Sequence, residues 1–395
     1  MTDSHDDKNH KSKLNAATKL THMGRNPKAQ HGFVNTPPYR GSTVIIENAR
    51  ALETGQSEYT YGRIATPSSN ALADMVAEIE GGTKGFVTGS GLSAITSSIL
   101  SLIRAGDHIL ITDSVYKPTR HFADTVLKPM GIEVEYYDPL LGSEIEKLMR
   151  TNTRIVFTEA PGSQTFEMQD IPAISEIAHK YNAYVLMDNS WATPLYYNPF
   201  KHGVDVSIQA ATKYLVGHAD AMLGTITTNE RASEHIKAGL YALGISAGSE
   251  ELYLGLRGMR TLQVRLERHW KSGLEIANWL NERPEVSSII HPAHESHPGH
   301  HIWKRDFTGA TGLFSVILHP APKEKVHAML NGYRLIGMGW SWGGYESLVI
   351  PFDPGSYRTA TKWTAEGPAL RYHIGLEDID DIKQDLEDGF KRLTS

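Results

Sequence analysis

The sequence predicts an α/β chain built on a mostly parallel sheet, followed by a smaller α+β unit. Two observations carry this. From residue 85 to 230 short apolar runs alternate with helical patterns, which is the signature of strands linked by crossover helices. Beyond residue 285 strands and helices lose that strict order. The 395 residues exceed what one simple core holds. The reading divides them into a tail and arm over 1–65, a large domain over 66–255 and a C-terminal domain over 256–395.

The elements follow in order. The N-terminal stretch is polar and charged, without an apolar signal core, and its first dozen residues read as a disordered tail. Residues 15–65 are rich in Gly, Pro and Tyr and read as an extended arm. Pro67 followed by two serines starts a helix, which the glycines after "EIE" stop. "KGFVTGS" is a strand, "GLSAITSSILSLIRAG" a helix, "HILITD" a strand and "KPTRHFADTVLKPMG" a helix. "EVEYYDP", a short helix near 143–150, "RIVFTEAPG", the helix "IPAISEIAHKYN" and "AYVLMDNSW" continue the alternation. Val204, Val206 and Ile208 alternate with Asp205, Ser207 and Gln209, and "MLGTITTNE" reads as the next strand. Residues 250–283 read as one long helix. "VSSIIHP", "TGLFSVILHP", "RLIGMG" and "ALRYHIGL" are strands, with helices near 324–331 and 378–393.

Composition excludes several functions. There is no cysteine, so disulfides, thiolate catalysis and cysteine-based zinc sites are out. The net charge of −6, from 39 basic and 45 acidic residues, argues against nucleic acid or an anionic membrane as partner. No apolar run approaches the about 18 residues of a membrane span. The expectation is a cytoplasmic protein. The histidines of "HPAHESHPGHHIW", 291–303, read as a solvated connection and no metal is expected.

In parallel sheets, sites form at the carboxyl ends of strands. Three features fall there. "FVTGSGLSAITSSIL" is a strand, a glycine-rich turn and a helix whose first amides, at Gly91 and Leu92, could hold a phosphate. It lacks the Gly-Lys-Ser/Thr of a P-loop and the third glycine of the dinucleotide fingerprint, and a tight packing turn is the alternative. Asp188 ends an apolar strand, where a carboxylate needs a partner; a turn or cap aspartate is the alternative. Lys213 ends the next strand. It is either a surface lysine or, in a dry pocket, an amine of lowered pKa able to act as nucleophile or base. Together, a phosphate cradle, a carboxylate for a ring nitrogen and an amine for an aldehyde match the needs of pyridoxal phosphate.

"SIQAATKYLVGHADAMLG", "YLGLRGMRTL", "KRDFTGATGLFSVIL", "SWGGYESL" and "HIGLEDIDD" resemble the Cys/Met-metabolism family of pyridoxal-phosphate enzymes, from about residue 35 to the C-terminus. The resemblance implies the aspartate-aminotransferase-like fold (fold type I): a large domain with a mainly parallel seven-stranded sheet and a small α+β domain. It implies carbon–sulfur bond cleavage, with β-elimination of L-cystathionine to homocysteine, pyruvate and ammonia. γ-Cleaving or γ-replacing chemistry, a broader cysteine-conjugate lyase and a non-catalytic protein on the same fold are the alternatives. Lys213 would bond the cofactor aldehyde, Asp188 would pair with its ring nitrogen and Tyr116 would stack on the ring. Gly91, Leu92 and the Thr212 hydroxyl would hold its phosphate. Many relatives carry a serine where Ala210 stands, so one phosphate hydrogen bond is missing here or supplied by water. Tyr61 and Arg63 would reach the phosphate of a neighbouring subunit in a homotetramer of dimers, and Tyr61 would line the substrate site. Arg371 would grip the substrate carboxylate, a task suited to a planar guanidinium. Ser341 and Trp342 would line the same region. Trp342, where γ-enzymes tend to have leucine, and the context of Tyr116 favour β-cleavage.

Overall fold

In the computed structural model, residues 14–395 are described; the tail expected over the first dozen residues lies outside them. Seven strands form the large sheet: β1 (Lys84–Thr88), β2 (His108–Thr112), β3 (Glu133–Tyr137), β4 (Thr153–Glu159), β5 (Tyr184–Asp188), β6 (Val206–Gln209) and β7 (Gly224–Thr228). Their spatial order is β1-β7-β6-β5-β4-β2-β3. All neighbours are parallel except those of β7, which runs antiparallel to β1 and β6. The mainly parallel seven-stranded sheet is therefore present.

Its strands read as near-continuous apolar runs because both faces are covered. Leu110, Val156, Val185 and Met187 face one side with the helices Pro67–Glu80 and Ile171–Lys180. Ile109, Ile155, Phe157, Leu186 and Ile208 alternate to the other, with the helices Gly91–Leu102 and Glu230–Ala242. The latter helix is not anticipated above. It is capped by Asn229, whose side chain accepts from the Ala232 N–H, and it buries Ala232, Ile236 and Leu240.

A second sheet has the order β10-β11-β12-β9-β8, from β8 (Val286–Ile290), β9 (Leu313–Leu318), β10 (Gly337–Met338), β11 (Leu348–Phe352) and β12 (Ala369–His373). It packs its own core with the helices Leu262–Asn281, Lys323–Asn331 and Ile379–Thr394. The expected strand at "RLIGMG" shrinks to two residues, and "LVIPF" is a strand the pattern did not suggest.

Three further differences appear. The long helix expected over 250–283 is two helices, Ser249–Arg260 and Leu262–Asn281, separated by Thr261 at φ −110° and ψ 7°. The buried Arg265 guanidinium spans the break, donating to the Gly258 carbonyl at 2.7 Å and the Thr261 hydroxyl at 3.1 Å. The Gly258 carbonyl is one that a continuous helix would have bonded internally. The arm contains two short helices, Ala16–His22 and Ala49–Thr54. The helix expected over 117–131 is α-helical only to Phe122 and continues as a π-type turn over Ala123–Leu127.

The edge between β5 and β6 is fastened by a fully buried carboxylate. Asp205 accepts from the Val185 N–H at 2.8 Å, His179 Nε2 at 3.0 Å, Arg231 at 3.2 Å and Asn229 at 2.8 Å. Burial alone would raise its pKa, but these hydrogen bonds outweigh burial and hold it below the ordinary aspartate value. Removing it strands buried donors. Asp205→Ala is expected to destabilise the protein by about 3–5 kcal/mol, read as a lowered Tm. Because the folded pKa is depressed, the Asp205 contribution is complete at neutral pH and lost as pH falls through the folded value. The gap in Tm between wild type and variant should narrow in acid. An equal gap at all pH values would contradict this.

Candidate active site

The carboxyl ends of β1, β2, β4, β5 and β6 lie along the same edge of the large sheet. The register aligns Glu159 at the end of β4 with Asp188 at the end of β5. Both are pushed above the ordinary carboxylate range, by burial first; each is near the other, and Asp188 raises Glu159 further. Glu159 accepts the Tyr116 N–H at 2.7 Å. Asp188 Oδ1 accepts from the Ser190 N–H at 3.0 Å and its hydroxyl at 2.6 Å. Ser190 Oγ in turn accepts the Ala210 N–H at 2.7 Å, which ties the Asp188 turn to the segment carrying Lys213. The second Asp188 oxygen takes no hydrogen bond among the described residues.

Beneath this turn, Glu80 at the end of its helix accepts from Ser207 at 2.7 Å and Gln209 at 2.8 Å, with Asn189 at 3.4 Å. This buried carboxyl, raised by desolvation, links both strand ends from below.

Lys213 lies in the turn after β6. Its Nζ donates to Ser341 Oγ at 2.8 Å and stands 5.3 Å from the Trp342 ring centre. Burial, then the Arg371 charge, lower its pKa to about 8, against the opposing pull of Asp188. The 339–343 loop is pressed onto it. Gly343 has φ 86°, and a Cβ there would lie 2.9 Å from the Lys213 carbonyl carbon, so this turn requires glycine.

Arg371, on β12, anchors that loop. It donates to the carbonyls of Gly339 and Ser341 at 3.0 Å and of Trp340 at 3.2 Å. Its Nε is buried with no partner among the described residues, and burial lowers its pKa to about 10. Trp342 packs on Tyr214 at 5.4 Å between ring centres.

The phosphate cradle takes a definite form. Ser90 caps the helix Gly91–Leu102, its Oγ accepting the Ser93 N–H at 3.1 Å. The Gly91 and Leu92 N–H groups have no acceptor among the described residues. Gly91 lies so close to Ala210 that a Cβ on it would be 2.6 Å from the Ala210 Cβ. The Thr212 hydroxyl accepts the Leu223 N–H at 2.9 Å and donates to the Leu223 carbonyl at 3.2 Å, so its proton is committed to the backbone.

The structure thus brings together Lys213, Asp188, Ser341, Trp342 and Arg371, with Tyr116, Gly91, Leu92 and Thr212 on the same strand ends. Burial, then the Asp188 and Glu159 charges, raise the pKa of the Tyr116 hydroxyl. Tyr61 and Arg63 stand apart. Arg63 rests on the Tyr241 ring at 5.1 Å and bonds the Tyr241 carbonyl at 3.4 Å. The sequence reading missed Ser190 and Glu159. Glu159 ends an apolar strand as Asp188 does, so the same signal marks it; nothing in the sequence pairs Ser190 with Ala210.

These groups fit pyridoxal phosphate. Free helix amides suit its phosphate, a carboxylate oxygen without a hydrogen bond suits a protonated ring nitrogen, and a half-buried amine of lowered pKa suits an aldehyde.

The family described as Cys/Met metabolism PLP-dependent enzymes matches residues 17–391. A Rhizobium johnstonii protein is 50% identical over 377 residues, which cover 94% of this chain and 95% of that one. The cystathionine beta-lyase MetC of Escherichia coli is 39% identical over 387 residues, 95% of this chain and 98% of that one. The crystal structure of metB from Corynebacterium glutamicum has a TM-score of 0.90 and 29% identity, covering 97% of this chain and 99% of that one. With the family matched across nearly its whole length, this chain belongs to the Cys/Met metabolism PLP-dependent enzymes.

Proposed function

We propose that the protein is a carbon–sulfur lyase that cleaves L-cystathionine and water into homocysteine, pyruvate and ammonia. The observation that carries this is the Lys213 amine, lowered to about 8 and set between Arg371, Ser341 and Asp188. The β-position of cleavage is supported by the Trp342 ring beside Lys213 and by the likeness to a protein named as a cystathionine beta-lyase.

Pyridoxal phosphate, when bound, would supply an electron-withdrawing ring. The chain's residues would do the rest. The Gly91 and Leu92 amides would hold its phosphate. Asp188, clamped by Ser190, would keep its ring nitrogen protonated, and Tyr116 would pack against the ring. Arg371 would take the substrate α-carboxylate on its unpaired Nε and on a neighbouring nitrogen that exchanges its loop carbonyl for the carboxylate, which would fix the direction of the Cα–H bond. Lys213 Nζ removes the Cα proton and, once protonated, sits where it can pass a proton to the departing sulfur. Ser341 steers Nζ between those tasks. The three-carbon remainder leaves as pyruvate and ammonia after hydrolysis.

The assembly we infer is a cytoplasmic homotetramer of dimers. The support is the position of Tyr61 and Arg63 outside their own pocket, on an arm exposing Phe33, Ile45 and Leu52 at 74%, 89% and 64%. Among the described residues no helix is long and apolar enough to cross a membrane.

Purified enzyme given L-cystathionine should yield pyruvate and homocysteine, identified by keto-acid analysis. 2-Oxobutyrate with cysteine would instead mean γ-cleavage. Lys213→Ala should reduce turnover by at least about 10³-fold while retaining non-covalent cofactor binding; near-wild-type turnover would remove its assigned role.

A pH experiment tests the amine directly. Only neutral Lys213 can attack an aldehyde. Stripped enzyme should take up pyridoxal phosphate about tenfold faster per pH unit up to about 8 and then level off. A rise continuing through pH 10 would mean an unshifted lysine.

A further inference from the structure

At the mouth of the pocket Lys117 follows Tyr116 directly. It is exposed, and its Nζ lies 5.2 Å from the Tyr357 ring centre. Among the described residues it forms no ion pair. Two guanidiniums nearby are buried and paired: Arg120 with Asp113, and Arg358 with Glu167 at 2.6 Å. Lys117, by contrast, is exposed and carries its charge to the surface beside Tyr116.

Its platform is rigid. The Tyr357 hydroxyl donates to Gln164 at 3.4 Å. The next turn is clasped by Asp113 at the end of β2, which accepts the N–H groups of Thr359 and Ala360 at 3.1 Å and of Thr361 at 2.7 Å, with the Thr361 hydroxyl at 2.7 Å. Asp113 is fully buried. A segment tied this firmly beside an unpaired ammonium forms a fixed edge.

The substrate class supplies the complement. Cystathionine has an amino-acid group at each end. Arg371, deep in the pocket, suits the carboxylate on the half that keeps Cα. The second carboxylate departs with the sulfur and must lie toward the mouth. We propose that Lys117, held over Tyr357, binds the carboxylate of the leaving-group half and so selects thioethers that carry one. This rests on the β-elimination reading above and deepens it.

The test compares L-cystathionine with S-methyl-L-cysteine, which undergoes the same elimination but has no second carboxylate. Lys117→Ala should raise KM for cystathionine about 5- to 10-fold with kcat within about twofold, the pattern of lost uniform binding. KM for S-methylcysteine should stay the same, and Lys117→Arg should restore the cystathionine value. An equal rise for both substrates, or no rise for cystathionine, overturns the assignment. If the wild-type enzyme forms pyruvate from neither compound, the β-elimination reading itself fails, and this proposal with it, before any variant is measured.

Discussion

A lysine amine drawn partly out of water, between a guanidinium and a carboxylate, is the constraint around which this structure is arranged. Neither neighbour alone produces its state. Arg371 and burial favour the neutral amine, while Asp188 favours the charged one, and the balance settles near pH 8. That balance requires Asp188 to stay in place although its own burial disfavours its charge. Ser190 meets the requirement by bonding Asp188 and the Ala210 backbone at once. The Glu80 network does the same from beneath, gathering residues of both strand ends onto one carboxyl.

The two sheets contribute unequal parts. The parallel sheet supplies the carboxylates, the cradle and the amine, because its strand ends face the same way. The second sheet supplies Arg371 and the loop it anchors. With three carbonyls of that loop on one guanidinium, Ser341 and Trp342 are positioned by Arg371. The placement of the Lys213 amine therefore depends on a residue of the second sheet.

Much of this was legible in the sequence. The alternation of short apolar runs marks strands buried on both faces, and strand-end polar residues stand out against them. Asp188 and Lys213 were visible for that reason. The helix Glu230–Ala242 was harder to see, because only Ala232, Ile236 and Leu240 are buried on an otherwise polar surface. The division at Thr261 depends on Arg265 reaching back across the break, a tertiary contact that apolar periodicity does not encode. The Asp113 clasp was equally hidden, since its partners lie far along the chain at residues 359–361. The Thr212 hydroxyl is a subtler case. Its place is the expected one, but its proton is committed to Leu223.

The contact between Gly91 and Ala210 has a consequence for how such a sequence can drift. A β-carbon at position 91 would be driven into both the β-carbon and the backbone α-carbon of position 210, at 2.6 and 2.8 Å. Position 91 is therefore confined to glycine whatever side chain position 210 carries, while growth at 210 is confined only to directions away from the helix start. The constraint between these two segments of the chain runs one way, from the backbone at 210 to the residue at 91.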